Sequence, residues 1–232
     1  EGLRQGTPNW QFRQELFRAI AELDPSKKYF TVSTHDDAPQ GDFGFDVIHF
    51  YAGGRSELDG TVPIPLLWSG YESVPDIQKM IFCSFVGSIT HDIRPKVLVP
   101  LQEKPGYVIQ AFKWVQDVPE DRQAIFQNVL WNSRFTLCPR GYGANSYRIY
   151  EAMQAGSIPV YVSDKFMLSW SDEIDWNDFC VIIPEDKVLE TDSILRSITE
   201  TQVRKMQEKL KEVYPKYFTI PAAYNQITRR LK

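Results

Sequence analysis

The chain has 232 residues, 43% hydrophobic and 13% aromatic, enough for one large or two small cored domains, which excludes a disordered polypeptide. Lys+Arg 26 against Asp+Glu 30 leaves a net charge of −4, which argues against a broad basic face for nucleic acid or anionic membrane. No apolar run approaches the ~20 residues of a membrane span.

Short β-rich runs alternate with helical segments, the pattern of an α/β protein with a mainly parallel sheet. Residues 9–23 read as a helix with Phe12, Leu16, Phe17, Ile20 and Leu23 on one stripe. Residues 28–33 form a strand that runs into the polar turn His35, Asp36, Asp37, Ala38, Pro39, and residues 46–51 form a second. Pro63, Pro65 and Pro75 make residues 59–75 an irregular connection and the candidate interdomain linker. Residues 80–86 and 107–112 are strands, and 119–132 are a helix with Pro in its first turn. The strand 134–138 breaks at Pro139, Arg140, Gly141, Tyr142 and Gly143. Asn145 then opens a helix running to Ala155, stopped by Gly156. Strands 158–162 and 179–183 follow, and Thr199 or Thr201 opens a last helix with Val203, Met206 and Leu210 inward.

Cys83, Cys138 and Cys180 are odd in number, far apart and set in apolar stretches, which predicts buried thiols and a reducing compartment. The chain starts Glu1, Gly2, Leu3, Arg4, without Met or an apolar signal core. The start is expected to be a trimmed one. The expected location is cytoplasmic, or the Golgi lumen if a native amino terminus was removed.

The sharpest local pattern runs from Phe135 to Tyr161: strand, glycine loop, helix, Gly stop, strand. Gly141 and Gly143 would let backbone approach a ligand, and free N–H groups at the helix start favour a phosphate. Arg140 and Arg148 can add charge-assisted bonds to the same anion. Glu151 follows on the same helical face, where it could accept from the two hydroxyls of a ribose. Arg148 and Glu151, three residues apart, equally suit a plain helix ion pair, and Asn145 and Ser146 could merely cap. Tyr142 and Tyr147 flank the loop and could stack on a base or sugar, or simply pack.

Together, Leu137, Cys138, Pro139, Ser146, Arg148, Glu151, Ala152, Ala155, Gly156, Ile158, Pro159 and Val160 resemble the signature of the exostosin-like glycosyltransferases. The likeness extends to Ile81–Gly87 with Ile93 and Arg94, to Asp59–Pro65, to the turn Thr34, His35, Asp36, and to Asp175–Pro184. It covers roughly residues 30 to 218. Ser157 stands where the family often has Cys, and Asp37 and Ala38 where its His-Asp turn continues Trp-Gly. The resemblance implies a GT-B architecture, two Rossmann-like α/β domains facing across a cleft, here with a reduced amino-terminal domain. The expected division is 1–75 for the acceptor side, 76–215 for the nucleotide sugar, and 216–232 packing back on the first domain.

The resemblance also implies inverting transfer from a nucleotide sugar, most often a UDP-sugar such as UDP-xylose, UDP-glucuronate or UDP-galactose, to a glycan or glycoprotein hydroxyl. No metal is required, and no Asp-x-Asp turn after a strand contradicts that. The leaving diphosphate would fall to Arg94, Arg140, Arg148 and helix N–H groups. The acceptor hydroxyl needs a base. Asp36 is the first candidate, with His35 and Asp37 as rivals. His49 reads as a core histidine, and His91 either caps a short helix or touches phosphate. The competing class is a noncatalytic nucleotide- or glycan-binding module of the same fold.

Overall fold

A computed structural model describes residues 10–36, 43–54, 61–115 and 117–232. Two parallel sheets organise them. In the first, β1 (Tyr29–Ser33), β2 (Val47–Tyr51) and β3 (Thr61–Pro63) pair in the order β1-β2-β3. In the second, β4 (Ile81–Ser88), β5 (Tyr107–Phe112), β6 (Ser133–Pro139), β7 (Ile158–Val162) and β8 (Val181–Ile183) pair in the order β5-β4-β6-β7-β8. This is the α/β architecture with a reduced first sheet that the resemblance implies.

The helices are α1 (Trp10–Ala21), α2 (Ile93–Leu98), α3 (Glu120–Asn132), α4 (Tyr147–Gln154), α5 (Thr191–Ser197), α6 (Glu200–Tyr217) and α7 (Ile220–Arg230). Thr199 caps α6 in a reciprocal capping box with Gln202, which selects Thr199 over Thr201 as its start. Gly156 adopts φ +65° and ends α4, a conformation that disfavours a Cβ.

The second sheet carries the core. Every residue of β7 is buried, as is nearly all of β6, because helices cover both faces of a parallel sheet. Val203 and Leu210 of α6 pack into the same core and Met206 against it. The three cysteines are free and buried, and burial pushes their thiols up.

Three expectations are corrected and one is met. Thr61–Pro63 is a strand of the first sheet, so the connection between the sheets starts after it; Pro63 is tolerated on an edge strand. Residues 179–180 precede β8, held in a turn after a short 3₁₀ helix at Trp176–Asp178. The expected first helix is present as α1, where Phe17 and Ile20 are half-buried and Leu16 is 58% exposed. The closing segment is α7, and its main contacts are α6 and the turn 170–173, where Arg230 stacks on Trp170 and pairs with Asp172 and Glu173.

The connection after β3 is fastened along its length. Tyr71 N donates to Gln154 Oε1 at 2.9 Å, and Gln154 Nε2 returns a bond to Tyr71 O at 3.0 Å. Further on, Lys79 Nζ donates to Trp131 O (2.9 Å) and Ala155 O (2.8 Å), at the carboxyl ends of α3 and α4. Both carbonyls are of the kind a helix end leaves unpaired.

Candidate functional site

In the second sheet the chain passes from β4 to β5 on one side, then returns to place β6 on the other. The carboxyl ends of β4 and β6 therefore form a topological switch point, where α/β sheets build their crevices. Gly87 and Ser88 end β4, and Arg140 to Ser146 follow β6.

Two arginines line this crevice. Arg94, on α2, is buried; its Nε donates to Arg140 O at 3.1 Å and its Nη1 to Ser88 O. Arg148, in the first turn of α4, donates from Nη2 to Val86 O at 3.0 Å. Its Nε is sealed from solvent with no hydrogen-bond partner. The two guanidinium carbons lie 5.8 and 4.5 Å from the centre of the Phe85 ring. Gly87 makes room: a Cβ there would collide with Arg148 Nη2.

Neither arginine forms an ion pair among the described residues. Burial, then the charge of Arg148, pulls Arg94 down to about 10. Burial pulls Arg148 down as well, against the opposing fields of Cys138 and Glu151. Two cations with only carbonyl partners are an arrangement that favours an added anion. Glu151, half-buried one turn beyond Arg148, is pushed up to about 7 by burial, with Arg148 pulling the other way. Among the described residues Arg148 and Glu151 do not come within ion-pair distance.

Two cavities of about 710 and 650 Å³ share Ser88, Val118, Arg148 and Glu151 as a common wall. The first runs along α3 and is lined by Trp68, Tyr71, Phe112, Arg122, Gln123, Phe126 and Gln127. The second opens toward the first sheet and is lined by Thr34, His35, Asp36, Trp114, Gly141, Tyr142, Ser146 and Tyr147, with Arg94. The turn of His35 and Asp36 thus faces the arginine crevice across one opening. Asp37 lies outside the described residues, as does part of the Asp59–Pro65 segment.

Other expected site residues are placed differently. The Arg140 guanidinium pairs with Glu185 and is absent from both cavity walls. Asn145 is not the helix cap: α4 is capped at Ser146, and the Asn145 amide nitrogen bonds Ala52 O and Ile64 O of the first sheet's strand ends. Gly143 approaches protein, since a Cβ on it would meet Gly53 O, and Gly141 lies against Thr90 and Arg94. Tyr142 and Tyr147 are 55% and 47% exposed and rim the second cavity. His49 bonds Thr31 Oγ1 at 2.8 Å within the first sheet, and His91 Nδ1 accepts from Ile93 N at the start of α2.

Sequence reading missed the aromatic wall of Trp68, Tyr71, Phe112 and Phe126. These come from three separated segments, and no local motif joins them. Among the described residues no group of three or more His, Cys, Asp or Glu is placed to hold a metal ion. No described helix is long and apolar enough to cross a membrane.

Two parallel α/β sheets, with Arg94 and Arg148 at the switch point of the larger one, are the frame in which the family likeness is to be placed. The family model of the Exostosin GT47 domain matches residues 52–198, and the chain belongs to that family. It is 34% identical over 92 residues to the Exostosin-1 homolog of Caenorhabditis elegans, covering 40% of this chain and 24% of the relative. A probable glycosyltransferase of Arabidopsis thaliana is 26% identical over 206 residues, covering 88% of this chain and 38% of the relative. Human Exostosin-2 is 31% identical over 93 residues, covering 40% of this chain and 13% of its own length. The chain thus spans well under half of these relatives. Among solved structures, TarM superposes with a TM-score of 0.49 at 12% identity, over 74% of this chain and 39% of the other.

Proposed function

We propose that the chain is the core of an inverting, metal-independent glycosyltransferase that moves a sugar from a UDP-sugar to a hydroxyl of a glycan. UDP-xylose, UDP-glucuronate and UDP-galactose are the donors to try first. The observation that supports this best is the pair of carbonyl-bound, carboxylate-free guanidiniums of Arg94 and Arg148, facing Asp36 across one cleft.

The diphosphate lies on the shared wall, against Arg148 and the N–H groups that open α4. Asp36 lines only the second cavity. The reacting carbon therefore belongs there, and the nucleoside extends into the aromatic cavity along α3, with Glu151 between them accepting from ribose hydroxyls. Transfer is one displacement. The acceptor oxygen bonds the anomeric carbon as the bond from that carbon to the phosphate oxygen breaks. The hydroxyl proton passes to the Asp36 carboxylate, and the electron pair leaves on UDP, stabilised by the arginines.

Calorimetry with UDP in EDTA tests the reading. Binding is expected without metal, and Arg148→Ala should weaken UDP about 10- to 100-fold, as expected for a charge-assisted bond, while leaving uridine little changed. Binding only with Mn²⁺ or Mg²⁺ defeats the metal-free mechanism. UDP binding without transfer to any member of an acceptor panel would instead mark a noncatalytic module.

A further inference from the structure

The turn that carries Asp36 and the loop after β6 belong to different sheets, yet they meet through Gly53 and Gly54 at the end of β2. A Cβ on Gly143 would meet Gly53 O and fall 2.6 Å from Asp36 Oδ1. A Cβ on Gly54 would lie 2.7 Å from the Ala144 amide nitrogen and 2.9 Å from that of Asn145. One on Gly53 would meet the backbone of His35 and Asp36. Three stretches of chain pack closely here, with glycine at each point of approach.

Hydrogen bonds fix this packing in one register. At the ends of the first sheet's strands, Ala52 N donates to Ser33 O (2.9 Å) and Ile64 N to Tyr51 O (3.0 Å). The Tyr51 hydroxyl donates to Asp36 O. Asn145 then links this row to the second sheet. Its Nδ2 donates to Ala52 O at 2.8 Å and Ile64 O at 3.3 Å. Its Oδ1 accepts from Ser146 N at 2.9 Å and the Tyr150 hydroxyl at 3.1 Å. Both amide ends are spent within the protein, one across the sheets and one at the start of α4.

We propose that Asn145 is a positioning residue, whose amide sets the distance between the Asp36 carboxylate and the phosphate-binding start of α4. This rests on the reading of Asp36 as the base. The geometry of attack is then held by a built-in strut, and a displacement of about 1 Å can cost on the order of 10²-fold in rate.

Asn145→Asp isolates the cross-sheet half of the strut. It keeps an oxygen for Ser146 N and Tyr150 but replaces the donor with an oxygen facing two carbonyls. The expected result is a fall in kcat on the order of 10²-fold with UDP affinity little changed. In an Asp36→Asn background the same change should add little further loss, because both act through one step. Asn145→Ala removes the same donor without setting a carboxylate against the two carbonyls and should give the same split, so the test survives if Asn145→Asp fails to fold. UDP affinity falling as in Arg148→Ala, with kcat held, would make Asn145 a ligand contact and overturn the proposal. Full multiplicative losses in the double variant would also overturn it. A wild-type chain that binds no UDP defeats the underlying functional reading, and is seen before any variant is made.

Discussion

The two sheets are built to different standards. In β7 every residue is buried, whereas β1 alternates, with Phe30 49% and Val32 53% exposed. The five-stranded sheet holds most of the core, and the carbonyl-bound guanidiniums of Arg94 and Arg148 lie at its strand ends. The three-stranded sheet brings little core but presents His35 and Asp36 to the cleft. Folding stability thus concentrates in one layer, together with the proposed phosphate site, and the proposed proton acceptor sits on the other. Loss of the Asp36 carboxylate should slow turnover without loosening the nucleotide, whereas loss of the Arg148 guanidinium should loosen the nucleotide.

The largest expected effect breaks that comparison at its chemical end. Asp36→Asn should lower turnover by ~10² to 10⁴-fold, the usual contribution of a general base, with UDP affinity nearly unchanged in calorimetry. Asp37→Asn is the control, and a loss at Asp37 alone would move the base one residue along. Next comes Leu137→Ala in β6, fully buried. It should destabilise the fold by about 2–5 kcal/mol in urea titration. Val32→Ser on the exposed face of β1 should stay within about 0.5 kcal/mol; a large loss there would show that the first sheet has a covered face after all.

Two pH experiments sharpen the contrast further. Glu151 is pushed up to about 7 by burial, so its ligand-accepting carboxylate form grows as pH rises through that value. Uridine affinity should increase from pH 6 to 8, and Glu151→Gln should flatten the profile. Lys79 is pushed down to about 8 by burial and by Lys211. The unfolded chain then binds the extra proton between pH 8 and the ordinary lysine value near 10.5. This group therefore adds stability as pH rises through that window. The urea midpoint of wild type relative to Lys79→Met should climb from pH 8 to 10.

Much of this arrangement was legible in the sequence, and the parts that were not share a cause. Strands β4 to β7 stand out because doubly covered parallel strands read as apolar runs, and Gly156 marks the end of α4 by its backbone alone. Arg94, Arg148 and Glu151 could be grouped because helix spacing and strand ends place them near one switch point. Arg140 could not be assigned correctly, since its partner Glu185 lies 45 residues away. Asn145 was harder still: its partners are carbonyls 93 and 81 residues distant, and a carbonyl has no side-chain signature. Strand β3 is three residues long and ends in Pro63, which reads as a break rather than a strand.

The anchoring of Lys79 has a consequence for proteolysis. A trypsin-like protease cuts after lysine only when the ammonium can leave the substrate's own fold and enter the enzyme's specificity pocket. Met80 beside it is 75% exposed. The side chain is held by Trp131 O and Ala155 O, at the ends of two helices. Cleavage at this point therefore requires those helix ends to release it, and the connection between the two sheets becomes a reporter of the larger sheet's integrity.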